Sequence, residues 1–317
     1  MSQSRRPEPE VSTEAEQTLM FLHIPKTAGA TLAWIIERQY EPATMFRTHR
    51  VLRASLKAKG IHARTVHASE RWEIAREELA NLEMSEKRRI KAVAGHMNFG
   101  WHKLLPQPCT YVTVLRNPID QVLSHYSYIL AHKREGHCVR DAILAQRMSL
   151  VDYVRSGISL MVNNAHTRLI SGVGHDVGFG QCTIEMLQAA KDNLKQHFSV
   201  VGLTEEFDAT LILLRRAFGW HMPFYGRQNV TRNRLRRETV SLEDLSVIEK
   251  YNELDIELYS YGRTLYEESL AQQDNSFAAE LRTFKLLNSL YGLGYSGTRK
   301  TRRLGRRIVA YCKRRPS

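Results

Sequence analysis

Three short stretches of this chain gather residue types that handle anions and protons. The first, His23-Ile-Pro-Lys26-Thr27-Ala28-Gly29-Ala30-Thr31, sets a lysine and two hydroxyls among small residues that let a backbone come close to a ligand. At the start of a helix such a segment also offers N–H groups without intrahelical partners, and the combination makes a cradle for a phosphate-like anion. The glycine-rich pattern that ends in Gly-Lys-Ser/Thr is absent, because here the lysine precedes the glycine. An ordinary strand-to-helix turn with a solvated lysine has the same composition. The second stretch, Leu115-Arg116-Asn117-Pro118 through Ser124-His125-Tyr126, repeats the logic. The planar fork of Arg116 suits a phosphate, and Ser124, two turns into the following helix, offers a hydroxyl to the same anion. The alternative pairs Arg116 with Asp120 and leaves Ser124 as a spare helix hydroxyl. The third, Gly95-His96-Met97-Asn98-Phe99-Gly100-Trp101, carries a histidine where a base of near-neutral pKa is useful, with His23, His102 and His125 as competitors for that role.

Each stretch has to be held by the elements around it. Thr18–Ile24 is a short apolar run that ends in a loop with Pro25 and Gly29, and helical spacing over Thr31–Tyr40 follows at Leu32, Ile35 and Ile36. Ile90–Ala94 and Thr110–Leu115 read as two more buried strands, the second leading into a helix over Ile119–Leu130 with Pro118 in its first turn. Phe198–Leu203 is a fourth strand, running into a helix over Thr204–Phe218 for which Thr204 is the expected N-cap. Ser149-Leu-Val-Asp152 and Ser241-Leu-Glu-Asp244 have capping-box shape and start further helices. Strands alternating with helices predict an α/β fold with a mostly parallel sheet covered on both faces. Its ligands lie at the carboxyl ends of the strands, so the three loops should share one edge.

Composition narrows the class. At 317 residues, 43% hydrophobic and 25% charged, the chain buries a sizeable core and is not disordered as a whole. No apolar run reaches the roughly 18 to 20 residues of a membrane span, and the opening residues 1–17 lack a signal-peptide core, so an unexported cytoplasmic protein is expected, with that segment disordered. Cys109, Cys138, Cys182 and Cys312 stand far apart without metal-ligand spacing and are expected to be reduced bystanders. Of the 46 basic residues, eleven lie between Leu281 and Ser317 with no acid among them, leaving 35 basic against 33 acidic in residues 1–280. The net charge of +13 therefore belongs mostly to a segment set apart as a basic, helical or disordered tail over 271–317, behind a domain over 18–270. Such a tail suits an acidic glycan or an anionic membrane surface, and nothing points to nucleic acid.

The three stretches, in this order, resemble the carbohydrate sulfotransferases that use 3'-phosphoadenosine-5'-phosphosulfate (PAPS), typified by the heparan sulfate 2-O- and 6-O-sulfotransferases and their bacterial relatives. Phe21 to Leu32 is similar to that family's 5'-phosphosulfate loop, Thr113 to Tyr126 to its 3'-phosphate strand and helix, and Ala94 to Gly100 to the segment with its catalytic histidine. Asn163 to Gly172 and Val201 to Phe207 match further stretches, so the resemblance covers about residues 18–262. It implies a P-loop-like three-layer sandwich. Lys26, Thr27, Ala28, Gly29, Ala30 and Thr31 would hold the 5'-phosphosulfate of the co-substrate, Arg116 and Ser124 the 3'-phosphate, and His96 would be the base, with Lys26 also steadying the leaving oxygen. Ala30 departs from the Thr or Ser of many relatives and removes one hydrogen bond. Gln228 to Arg234 resembles a late basic loop that closes over the nucleotide, which adds Asn229, Thr231 and Arg234.

The activity this implies is transfer of a sulfuryl group to a hydroxyl of a carbohydrate or glycolipid, without a metal. A singly charged sulfuryl group needs less neutralisation than a phosphoryl group. Two other readings stay open at this level. A P-loop kinase would show a lysine-ended phosphate loop and a magnesium-holding carboxylate, and neither signature is present. A non-catalytic polyanion binder would explain the basic tail and would bind by charge alone, indifferent to a 3'-phosphate.

Overall fold

The computed structural model describes residues 17–61, 68–131, 137–174, 176–226 and 235–296. The chain enters through β1 (Thr18–Leu22), α1 (Gly29–Ile36), β2 (Met45–Arg47), α2 (Thr48–Ala58), α3 (Ala68–Ala80), α4 (Met84–Arg88) and β3 (Ala92–Gly95). It continues with β4 (Cys109–Leu115), α5 (Pro118–Ala131), α6 (Cys138–Ala145), α7 (Leu150–Arg155), α8 (Ala165–Ser171) and α9 (Ile184–His197). The last elements are β5 (Phe198–Leu203), α10 (Phe207–Phe218), α11 (Leu242–Tyr251), α12 (Glu253–Ala271) and α13 (Ser276–Ser296).

The strands form one sheet in the order β2-β3-β1-β4-β5 with every pairing parallel. All five residues of β1 are buried, as a central strand covered on both faces requires. From β1 the chain builds β2 and β3 on one side and β4 and β5 on the other. The carboxyl end of β1 is thus the point where the sheet changes direction, and the crevice of an open parallel sheet opens there. The expected strands are all present. β2 was not anticipated, since three residues at the sheet edge are too few to show a period.

The helix starts follow their sequences with one exception. Ser149 and Asp152 close a reciprocal capping box on α7, and the Ser241 hydroxyl accepts from the Asp244 N–H at the start of α11. Thr204 is not the N-cap of α10. Its N–H and hydroxyl both donate to the Leu115 carbonyl, at 2.8 and 3.0 Å, tying the ends of β4 and β5 together, so that the helix begins only after Glu206.

The segment set apart as a tail contributes to the core through α13. Phe277 and Phe284 are buried, Phe284 stacks on Phe224 at 5.8 Å between ring centres, and Glu280 accepts from Arg215 and Arg216 of α10 at 2.6 and 2.8 Å. Residues 1–16 and 297–317, with most of the basic residues of the tail, lie outside the described residues, as does Cys312; the other three cysteines are free thiols. No helix of the described residues is long and apolar enough to cross a membrane.

Candidate functional site

The loop between β1 and α1 carries two left-handed residues that are not glycine, Lys26 at φ 71° and Ala28 at φ 61°. Each conformation costs on the order of 1–3 kcal/mol and persists only where the surroundings enforce it. Here they do. The Thr27 hydroxyl donates to the Ile24 carbonyl at 2.9 Å, the Gln121 amide of α5 donates to the Pro25 carbonyl at 3.2 Å, and the Arg116 guanidinium donates to the Lys26 carbonyl at 2.9 Å. With the carbonyls turned to these donors, the N–H groups of Thr27, Ala28, Gly29 and Ala30 find no acceptor among the described residues. Consecutive free amides at a helix start, beside a lysine, are a cradle for an anion, and this donor set fits the 5'-phosphosulfate of PAPS.

Gly29 is required for space rather than for backbone freedom. A Cβ built on it would sit 2.7 Å from Cγ of His23 and closer still to Cδ2 and Nε2 of that ring. The His23 ring cannot swing aside easily, because it is stacked between Phe21, at 5.5 Å, and His96, at 4.2 Å.

His96 follows β3 directly. Its Nδ1 lies 2.8 Å from the His23 carbonyl, and since a carbonyl only accepts, Nδ1 carries the hydrogen and the lone pair of the neutral ring is on Nε2. Desolvation lowers the His96 pKa, the hydrogen bond to the His23 carbonyl opposes this, and nearby His49 lowers it further; the balance is below the usual 6.5. The half-buried ring is therefore a neutral base at pH 7. His23 is pushed well down, first by desolvation and then by His96 and Lys26.

Arg116 leaves the end of β4 and is only 7% exposed; Ser124, on α5, is 5% exposed. Asn117 opens the turn between them, its Oδ1 accepting from the N–H groups of Ile119 and Asp120 while its own N–H donates to Glu205 at 3.0 Å. The Lys26 ammonium lies 4.0 Å from the centre of the Tyr128 ring, one turn beyond Ser124 on α5. Through these bonds the first loop touches both the second, by Arg116 and Gln121, and the third, by the His23 carbonyl.

The other histidines separate from this group. His102 bonds the Tyr111 hydroxyl and stacks on His197, beside the amino-terminal half of β4. His125, on α5, has Nδ1 3.0 Å from the Tyr153 hydroxyl, and desolvation, with smaller contributions from Lys26 and His137, pushes its pKa down to about 3. The stretch Asn163 to Gly172 is a cross-link. Asp255 accepts from the N–H groups of His166 and Thr167, and buried Arg168 donates to the carbonyls of Asn163, Gly174, Val177 and Gly178. Asn229, Thr231 and Arg234 lie outside the described residues. Among the described residues no group of three His, Cys, Asp or Glu is placed to hold a metal ion.

Sequence reasoning missed Gln121, Tyr128 and Trp72. Gln121 and Tyr128 had a signal: they lie three residues before and four after Ser124, one turn away on the same helix. Trp72, whose ring lies 6.2 Å from that of His96, reaches it from α3 and had none.

Residues 2–288 match the family model described as galactose-3-O-sulfotransferase. Among curated proteins the chain is similar to galactose-3-O-sulfotransferase 2 of Sus scrofa, 25% identical over 211 residues, or 64% of this chain and 49% of that protein. It is also similar to galactose-3-O-sulfotransferase 3 of Bos taurus, 26% identical over 254 residues, covering 77% and 55% of the two chains. A heparan-sulfate 6-O-sulfotransferase 1-B of Danio rerio is 26% identical over 184 residues, covering 50% and 44%. The chain spans about half the length of the curated relatives it matches.

Proposed function

Because the chain belongs to the galactose-3-O-sulfotransferase family, we propose that it transfers a sulfuryl group from PAPS to a hydroxyl of a galactose-containing carbohydrate, with His96 as the base. One observation carries the reading. Four consecutive amides with no acceptor among the described residues, in a loop braced by Arg116 and Gln121, stand at the same sheet edge as a tautomer-fixed histidine.

When bound, PAPS supplies an activated sulfuryl group on a 5'-phosphate. The amides of Thr27 to Ala30 and the Lys26 ammonium face that end, and Lys26 leaves Tyr128 to offset the charge that grows on the bridging oxygen. Arg116 and Ser124 take the 3'-phosphate, the arginine keeping one N–H on the Lys26 carbonyl, so that nucleotide binding also sets the loop. His96 Nε2 accepts the acceptor hydroxyl's proton as that oxygen bonds to sulfur and the bond from sulfur to the phosphate oxygen breaks. The His23 carbonyl steadies the imidazolium through Nδ1–H.

The test is calorimetric titration with 3'-phosphoadenosine-5'-phosphate (PAP) and with 5'-AMP, on the wild type and on Arg116→Ala. The expected result is tight binding that needs the 3'-phosphate, weakened in the variant by roughly ten- to a hundredfold for PAP and little for AMP, as loss of a charge-assisted bond implies. Equal binding of PAP and AMP by the wild type would remove the donor site from the reading.

A further inference from the structure

The backbone that carries Arg116 is held from both sides by two consecutive residues at the end of β5. Before Arg116, the Leu115 carbonyl accepts from the Thr204 N–H at 2.8 Å and from the Thr204 hydroxyl at 3.0 Å. After it, the Asn117 N–H donates to Glu205 Oε1 at 3.0 Å. Leu115 pairs with Leu203 in the sheet, so the Thr204 N–H continues the strand ladder by one step. The Thr204 hydroxyl and the Glu205 carboxylate belong to no ladder, and both are spent on the residues that flank Arg116.

The end of β5 is itself braced. The Thr210 hydroxyl of α10 accepts from the Leu203 N–H at 3.1 Å and donates to the Leu203 carbonyl at 3.4 Å. Thr210 is fully buried, and it lies so close to β5 that a Cβ at Gly202 would overlap its methyl group. A continuous path of bonds thus runs from α10 through Leu203 to Thr204 and Glu205, and across to either side of Arg116. From there the guanidinium donates to the Lys26 carbonyl at 2.9 Å. Glu205 is conspicuous for its charge, since a carboxylate one residue from an anion-binding arginine works against the anion. What it accepts accounts for its place: Asn117, whose N–H it holds, also caps α5 through Oδ1.

We propose that Thr204 and Glu205 are positioning residues for the nucleotide: they fix the backbone on both sides of Arg116, so that its guanidinium serves the 3'-phosphate and the Lys26 carbonyl together. The inference rests on the sulfotransferase reading. Both residues act through Arg116 rather than on the ligand, by removing beforehand the freedom that this segment would otherwise lose when the nucleotide binds.

Calorimetric titration of the full chain with PAP and with 5'-AMP tests it on two double variants. Thr204→Ser with Glu205→Gln keeps a hydroxyl and an acceptor oxygen, whereas Thr204→Val with Glu205→Ala keeps neither, and both pairs lack the charge. The second pair should bind PAP on the order of tenfold more weakly than the first, with equal affinity for AMP, as loss of two hydrogen bonds behind the 3'-phosphate implies. In an Arg116→Ala background the difference for PAP should vanish, because the side chain through which both residues act is gone. If the Val and Ala pair does not fold, Glu205→Ala against Glu205→Gln reads the same difference at about threefold. Equal PAP affinity in the paired variants, a loss shared by AMP, or a loss that persists without the Arg116 side chain overturns the positioning role. A wild type that binds PAP and AMP alike refutes the donor-site reading and this inference with it, and is told apart from the other outcomes because it is seen without any substitution.

Discussion

Gly29→Ala isolates a single steric fact. In a helix, alanine is favoured over glycine by roughly 1 kcal/mol, and the Gly29 backbone lies in the ordinary helical region, so the substitution should stabilise α1 if nothing stood in the way. His23 stands in the way. The new Cβ falls 2.7 Å from Cγ and nearer still to two other ring atoms, well inside the distance at which carbons pack, so the ring must shift. Stacking between Phe21 and His96 leaves it no open side. Overpacking of this kind costs about 1–3 kcal/mol, which offsets the gain in propensity and predicts a net loss of up to about 2 kcal/mol. The larger effect is on chemistry. The His23 carbonyl orients His96, the proposed base, and displacement of a group in that role by about 1 Å costs on the order of a hundredfold in rate. Thermal melts and steady-state turnover on the single variant, and on the same substitution made in a His23→Ala background, separate these terms. With the ring gone, alanine at 29 should become stabilising by up to about 1 kcal/mol, a reversal of sign that only direct contact produces. A Gly29→Ala protein with wild-type turnover and melting, or equal destabilisation with and without the His23 ring, would refute the argument.

Two further outcomes follow from the histidines. His96→Ala should lower turnover by about 10²–10⁴-fold while PAP still binds, and the acid limb of the wild-type kcat/KM profile should lie below pH 6.5, since desolvation lowers this pKa; a limb above 6.5, or normal turnover in the variant, would dismiss His96 as the base. For His125 the folded pKa, near 3, lies below the ordinary 6.5, so the unfolded chain takes up a proton first and stability is lost as pH falls from 6.5 toward 3. At about 1.4 kcal/mol per unit this group alone removes about 2 kcal/mol between pH 6.5 and 5. Urea midpoints should therefore shift less between pH 7.5 and 5 in His125→Gln than in the wild type, and an equal shift would place the acid sensitivity elsewhere.

Much of this molecule is written locally. β1, β3, β4 and β5 are runs of apolar residues, continuous because a parallel sheet covered on both faces leaves no polar side, and the cap at Ser149 depends on contacts within four residues. The loops rich in small residues, lysine and arginine stand where strands turn into helices, and their types are legible without a structure. Tertiary structure decided what those loops do to each other. Arg116 reaches back 90 residues to a carbonyl rather than to Asp120 four residues on, and His96 reaches 73 residues to the backbone of His23. Neither partner has a side-chain signature, because a backbone carbonyl is the same at every position and only the order β3-β1-β4 brings these three strand ends side by side. The same cause hid Trp72 and the packing of α13: helix periodicity shows that a face is apolar, and only the assembled sheet shows what it covers. Sequence determined which elements form and which chemical groups stand at their ends, and the strand order decided which of those groups meet.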